Sequence, residues 1–252
     1  LGTPMKWTIA ACQGPLGAWP ATRPARAEWL ARRSGVEVAD QTRALVEQDA
    51  ALLRTASQGE RLVFWCEADP YDLADLAAAV AFVISVEPEA RLELVLLHEH
   101  PEVPNFRGLV QLTPAQLVEC FVERRLLRRR DIADLQHCWE ALCGGAVACR
   151  GAATRRFTIP HLARAMERLG EEAPGPDGLG LTERRLVAAA REQSASATRL
   201  VRRVEAEERR PWLGDSMVYA MIDELANRVN PPLWVAQPGA ARSGGAALVE
   251  AR

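Results

Sequence analysis

The pattern that most constrains this chain is a short apolar run, a helical stretch and a second apolar run in close succession. Residues 62–66 suit a strand that is buried on both faces, and residues 92–97 suit a second one. Between them, Asp69 and Pro70 are typical of a helix cap and first helical residue, and 71–85 predicts an alanine-rich helix. Strand, helix and strand at this spacing predict a βαβ unit with a parallel pair of strands.

The fold class that follows is α/β. We expect a small parallel, Rossmann-like sheet with flanking helices and then a mainly helical C-terminal lobe, since helical patterns dominate after residue 113. The expected organisation is an α/β domain over 1–110 and a mainly helical lobe over 111–236. Residues 237–252 are rich in Gly, Ala and Ser, which predicts a flexible tail.

Composition limits the classes of partner and compartment. The formal net charge of the 252 residues is −2, which weighs against a nucleic-acid or membrane-surface partner. No apolar run is long enough to span a bilayer, and no leader pattern opens the chain, so we expect a cytoplasmic protein. None of the six cysteines forms a Cys-x-x-Cys pair, and we expect reduced thiols. Lys6 is the only lysine among many arginines, which indicates a GC-rich genome of actinobacterial type.

Four motifs in order resemble a bacterial family, the domain-of-unknown-function family 1835 with its C-terminal helical region. Trp7-Thr8-Ile9 followed by Gln13-Gly14-Pro15 is similar to its Trp-Arg-Asp and Glu-Gly-Pro segments. Residues 65–72, Trp-Cys-Glu-Ala-Asp-Pro-Tyr-Asp, are similar to its Trp-Phe-Glu-His-Asp-x-Tyr-Asp motif. Residues 178–184 and 212–215 resemble its Gly-Leu-Ser-x-Thr-Glu-Arg and Phe-Leu-Gly-Asp segments. The resemblance covers roughly residues 7–233 and implies a fold without an established reaction.

Three ionisable positions of that family are neutral here, namely Ile9, Gln13 and Ala68. The resemblance therefore implies that this copy has lost part of any ancestral acid–base or metal site. It also implies a strand ahead of Trp7, and the sequence begins too close to Trp7 to contain one. Either that strand has been trimmed, or another chain supplies it, so we expect a homo- or hetero-oligomer whose partner completes the sheet edge.

The candidate catalytic residues are Glu67 and Asp69, at the carboxyl end of the first predicted strand, where open parallel sheets bind ligands. Two crowded carboxylates can act as general acid and base or hold a substrate ammonium group. Tyr71 and Asp72 are candidate substrate-binding residues beside them. The structural alternative is that Asp69 and Asp72 only cap the helix and complement its dipole.

Further candidate substrate-binding residues come from the other motifs. Trp7 and Gln13 belong to a tight turn whose amide could orient a polar group, with a structural loop as the alternative. Arg184 and Asp215 are carried over from the resemblance. We expect no metal and no cofactor, since the four histidines lack ligand spacing and no dinucleotide-binding, Walker or nucleophile-elbow motif is present.

Two functional hypotheses follow. The first is an enzyme, or a subunit of one, of specialised, antibiotic-type metabolism that acts on a small polar, amine-bearing metabolite. Carboxylate acid–base assistance and positioning would drive an intramolecular substitution or an elimination that expels an anion. The alternative is a nucleic-acid-binding regulator with a winged-helix-like C-terminal lobe, in which Thr182-Glu183-Arg184 begins the recognition helix, or a non-catalytic partner subunit.

Overall fold

The computed structural model describes residues 2–235 and 248–251. The chain forms two compact units, Leu1–Gly170 and Glu171–Arg252. The first unit therefore extends well beyond the domain boundary that the sequence suggested after residue 110. It does so because helices from the later segment pack on the helix of the βαβ unit.

The first unit begins with an irregular segment and then alternates helices and strands. Its elements are α1 (Arg23–Ser34), α2 (Val38–Ser57), β1 (Arg61–Glu67), α3 (Pro70–Val86), β2 (Arg91–Leu97), a short 3₁₀ helix (Leu109–Gln111), α4 (Pro114–Val122), β3 (Arg125–Leu126), α5 (Arg129–Cys143), α6 (Ala146–Ala152) and α7 (Leu162–Gly170).

The predicted βαβ unit is present, with β1 and β2 parallel and in register from Arg61 opposite Arg91 to Glu67 opposite Leu97. Helix α3 begins where the sequence indicated, because the carboxylate of Asp69 accepts the backbone N–H groups of Tyr71 and Asp72. The sheet is mixed rather than all parallel, since β3 pairs antiparallel with β2 in the order β1-β2-β3. Among the described strands, β1 therefore lies at the edge of this sheet.

Both faces of this sheet are covered. Helix α3 is buried on nearly all sides and packs on β1, α5 and α7. The opposite face carries an apolar cluster built on Val95, Leu112 and Cys120, with Val63 and Trp65 of β1 packed against it. These contacts bury the apolar runs from which the two strands were predicted.

The described residues of the second unit form three helices and a three-stranded antiparallel sheet. Its elements are α8 (Leu181–Glu192), β4 (Ala195–Ser196), α9 (Ala197–Ala206), α10 (Asp215–Ala226), β5 (Leu233–Val235) and β6 (Leu248–Ala251). Strand β6 lies between β4 and β5. The expected flexible tail over 237–252 is wrong for residues 248–251, because these pair with two strands, and residues 237–247 and 252 lie outside the described residues.

The mixed α/β fold class is confirmed, and so is the helical character of the segment after residue 113. Among the described helices, none is long and apolar enough to cross a membrane. All six cysteines are free thiols.

Candidate functional site

A cleft of about 1210 Å³ runs along the free edge of β1. One wall is the irregular segment 2–8, and another is formed by α2 through residues that include Leu52 and Thr55. Helix α3 contributes Asp72, Asp75, Leu76 and Ala79 to the lining. The cleft therefore has residues 61–66 of β1 as its floor and the amino-terminal half of α3 at the carboxyl end of that strand.

Three carboxyl groups line up on one side of α3 at this end. Asp69, Asp72 and Asp75 are spaced three residues apart, which places them on one helical face. Asp69 and Asp75 are buried, and Asp72 is partly buried. Of the three, Asp72 and Asp75 line the cleft.

Burial disfavours the charged forms of these carboxyls. It raises the pKa of Asp72 to about 6 and that of Asp69 to about 7, with further contributions from the neighbouring negative charges of Glu67 and, for Asp69, of Asp72. Burial also raises the pKa of Asp75, against the opposing effects of its hydrogen bonds to Ala11 and Thr8 and of the charge of Arg26. Near neutral pH the row holds groups that titrate, as acid–base chemistry requires.

A hydrogen-bond network fixes Asp75 and Tyr71. The hydroxyl of Thr8 donates to one oxygen of Asp75, and the other oxygen accepts the backbone N–H of Ala11 at 2.7 Å. The Tyr71 hydroxyl lies 2.8 Å from the Thr8 hydroxyl. Burial raises the pKa of Tyr71, so that its phenol stays protonated. The site is thus assembled from α3 and a loop that lies more than sixty residues earlier in the chain.

That loop is built around a fully buried arginine. Arg26 of α1 is 0 % exposed and donates to the carbonyl groups of Ile9, Ala10, Gln13 and Pro15. Burial lowers the pKa of its guanidinium to about 10, where it remains charged at neutral pH. The arginine therefore holds residues 9–15 in place as a structural core of the site.

The packing around Arg26 also explains Gly14. The Arg26 guanidinium lies 4.4 Å from the ring centroid of Trp29. Gly14 has φ +76, and a Cβ atom there would lie 2.4 Å from Cε2 of Trp29. Both the left-handed backbone and the close approach require glycine, so the Gln-Gly-Pro turn has a structural reason.

Trp7 lies in the cleft wall and is held by Asp49. Its indole N–H donates to the buried Asp49 carboxylate at 2.9 Å, and Trp19 and Arg23 donate to the other carboxylate oxygen at 3.1 and 2.5 Å. The backbone N–H of Thr8 donates to the side chain of Gln48, which lies next to Asp49 in α2. Helix α2 therefore fixes the position of the segment that faces β1 across the cleft.

The predicted catalytic residues do not line this cleft. Glu67 Oε1 accepts the backbone N–H of Leu109 at 2.8 Å and lies against Gly108, so its carboxylate anchors the loop after β2. Asp69 is the cap of α3. Gln13 accepts a hydrogen bond from Arg33 at 2.6 Å and is also absent from the lining. Trp7, Tyr71 and Asp72 are the predicted residues that the cleft brings together.

Arg184 and Asp215 belong to the second unit and are not among the cleft residues. Arg184 donates to the carbonyl group of Leu179, and Asp215 lies exposed in the first turn of α10. Thr182 is 1 % exposed and donates to Glu172 at 2.5 Å. Of the segment that the sequence offered as the start of a recognition helix, Thr182 is therefore buried in its unit, whereas Glu183 and Arg184 are partly exposed.

Asp75 and Arg26 are the important residues that sequence reasoning missed. Asp75 interrupts an otherwise apolar stretch of α3, and a carboxyl group inside a helix that is buried on all sides was the available signal. Arg26 stands among many arginines, and nothing in its local sequence distinguishes it from Arg23 or Arg32.

Within the described part of the chain, no group of three or more His, Cys, Asp or Glu side chains is arranged to hold a metal ion. Comparison with known proteins finds no family model, no curated protein and no solved structure that matches this chain.

Proposed function

We propose that this chain is an enzyme, or a subunit of one, that acts on an amine-bearing polar metabolite at the α3 end of the cleft. The observation that carries the proposal is the pair Asp72 and Asp75, two carboxyls of raised pKa in the cleft lining beside the Tyr71 phenol. The βαβ unit supports a Rossmann-like interpretation, in which ligands bind at the carboxyl ends of parallel strands.

The chemistry needs no cofactor. A substrate ammonium group binds between Asp72 and Asp75, and the carboxylate of Asp72 takes one proton from it. The amine lone pair then forms a new bond to carbon while the leaving group departs from that carbon with its bonding electrons as an anion. Lys6 lines the cleft two residues before Thr8, and its ammonium group stabilises the departing charge.

This assignment moves the proposed acid–base role from Glu67 and Asp69 to Asp72 and Asp75. A role in specialised, antibiotic-type metabolism and a cytoplasmic location belong to the same proposal.

Calorimetric titration with ethanolamine tests the amine site, with ethylene glycol as a probe of similar size that lacks the amine. Ethanolamine should bind and ethylene glycol should not. Asp75→Asn should weaken ethanolamine binding at least tenfold, about 1.4 kcal/mol, whereas Asp40→Asn, an exposed carboxylate paired with Arg43, should not. Equal affinity of both variants and the parent protein would refute the proposal.

The topology of the second unit favours a second candidate function, a nucleic-acid-binding regulator. Its elements follow one another as helix, strand, helix, helix, strand and strand, and the last strand lies in the middle of the sheet. Winged-helix domains have this arrangement. In that arrangement the recognition helix would be α10, and not the helix that begins near Thr182. The residues that α10 exposes include Asp215 and Glu224, which would repel phosphate.

Fluorescence anisotropy with a labelled random-sequence DNA duplex, at about 50 and 200 mM salt, separates the two candidates. The enzyme proposal predicts no binding at either concentration. The regulator would instead be established by salt-dependent binding with two properties. A substitution on the exposed face of α10 should abolish it, and the control variant Arg228→Ala should leave it intact.

A further inference from the structure

The free edge of β1 has a defined pattern of hydrogen-bonding groups. The N–H of Ala68 donates to the carbonyl group of Leu97, so residues of even number in this strand direct their backbone groups towards β2. Val63 and Trp65 therefore direct their backbone N–H and C=O groups into the cleft. Within the described ranges, these groups meet no hydrogen-bonding partner, and at the end of the edge the N–H of Glu67 is capped by Asp72 at 2.6 Å.

The cleft is suited to an extended chain on both of its faces. One apolar region of its lining consists of Leu109 and Leu117 beside Val63 and Trp65. The other consists of Leu52 of α2 and Leu76 of α3. An extended segment laid on β1 would direct alternate side chains into these two apolar regions. The volume of the cleft, about 1210 Å³, also exceeds the roughly 300–1,000 Å³ of ordinary small-molecule pockets.

The charges of the cleft differ between its two ends. Asp72 and Asp75 lie at the carboxyl end of β1, whereas Arg54 and Arg61 lie at its amino end, where Glu60 and, 3.7 Å from Arg61, Glu93 are opposing acids. Five residues of strand separate these ends, about 16 Å. A small metabolite cannot reach both, but a short peptide can.

We propose that the cleft binds the amino-terminal segment of a peptide, which adds as an antiparallel strand to β1 and places its α-ammonium group between Asp72 and Asp75. This inference rests on the proposed function, because it names the peptide amino terminus as the amine that the site recognises. The antiparallel direction follows from the charges, since it carries the acidic carboxyl-terminal part of the peptide towards Arg54 and Arg61. Strand addition and capture of a terminal amine are both established modes of peptide recognition.

The hexapeptide Ala-Val-Leu-Val-Ala-Glu is a suitable probe, measured by calorimetry against its N-acetylated form. The free peptide should bind, and acetylation, which removes the charge, should weaken binding at least tenfold. Equal binding of the two forms would overturn the proposal.

Backbone methylation tests the strand pairing itself. In an antiparallel pair only alternate residues direct their N–H groups to the neighbouring strand. Of two hexapeptides that are N-methylated at adjacent central positions, one should therefore lose at least tenfold in affinity and the other should bind within about threefold of the parent. Equal affinity of the two methylated peptides would contradict strand addition.

Val63→Pro removes one N–H from the free edge without touching the hydrogen bonds to β2, a position at which proline is tolerated. It should weaken the hexapeptide and leave ethanolamine binding unchanged. If ethanolamine binds and the hexapeptide does not, the peptide inference fails while the amine site stands; if neither binds, both fail. A stable dimer in light scattering that Val63→Pro dissociates would show a second copy of this chain on β1, and would also overturn the inference.

Discussion

The backbone N–H of Ala11 donates a 2.7 Å hydrogen bond to Oδ1 of Asp75, and this contact joins the amino-terminal loop to α3. Ala11 can do so only while residues 9–15 keep their path around the Arg26 guanidinium. The geometry of the carboxyl end of the cleft therefore depends on a buried side chain that does not line it.

Replacing Arg26 with methionine should lower the free energy of unfolding by about 3 kcal/mol, because several buried carbonyl groups lose their donor. Arg33→Met is the matched control. Arg33 also lies 4.4 Å from the Trp29 ring centroid but is only partly buried, and its loss should cost about 1 kcal/mol. Urea unfolding of the two variants measures the difference. Equal losses would show that stacking on Trp29, and not support of the loop, is what Arg26 contributes.

The free energy of unfolding of the Asp72→Asn variant should increase relative to that of the parent protein as the pH rises. The folded protein holds the Asp72 proton up to about pH 6, whereas the unfolded chain releases it near pH 4. Between these values the folded state binds more protons, so its stability falls as the pH rises, and asparagine escapes that loss.

The gain from Asp72→Asn, measured by urea unfolding, should therefore be about 2 kcal/mol larger at pH 7.5 than at pH 4. Asp40→Asn serves as the exposed control and should show little change between the two pH values. If the difference in unfolding free energy between Asp72→Asn and the parent protein does not change with pH, the raised pKa on which the acid–base role depends is contradicted.

Gly108→Ala tests whether Glu67 is an anchor. A Cβ atom at residue 108 would lie 2.6 Å from Glu67 Oε1, so the carboxylate must move and lose its bond to Leu109. The expected cost is about 1 kcal/mol in thermal unfolding. Gly151→Ala is the control, since a Cβ atom there meets nothing within 4 Å and alanine favours the helix.

Glu67→Ala should cost a similar amount of stability and leave ethanolamine affinity within about twofold of the parent protein. A tenfold loss of affinity at unchanged stability would return Glu67 to the ligand site, where the sequence first placed it.

The βαβ unit was predictable because its signals are local. An apolar run, a cap at Asp69 and a proline at the first helical position all lie within a few residues of one another. The short strands β3 and β4 were not, because two residues such as Arg125 and Leu126 carry no periodicity and are strands only through their partners.

The site was predictable in part for the same reason. Tyr71 and Asp72 follow β1 directly, and the strand-end rule therefore found them. Asp75 depends on Thr8 and Ala11, which lie more than sixty residues away, and the role of Arg26 depends on the path of a loop in another segment. Glu67 and Asp69 carry the right chemistry at the right strand end, but backbone N–H groups engage both carboxylates, that of Tyr71 two residues after Asp69 and that of Leu109 forty-two residues after Glu67.

Carbon-13 NMR of the aspartate side-chain carboxyls, titrated between pH 4 and 9 with and without saturating ethanolamine, tests the central claim most directly. Asp72 should titrate near pH 6 in the free protein, and ethanolamine should lower the apparent pKa values of Asp72 and Asp75, because a bound ammonium group favours the ionised carboxylates. Titration curves of Asp72 and Asp75 that are identical with and without ethanolamine would contradict the account.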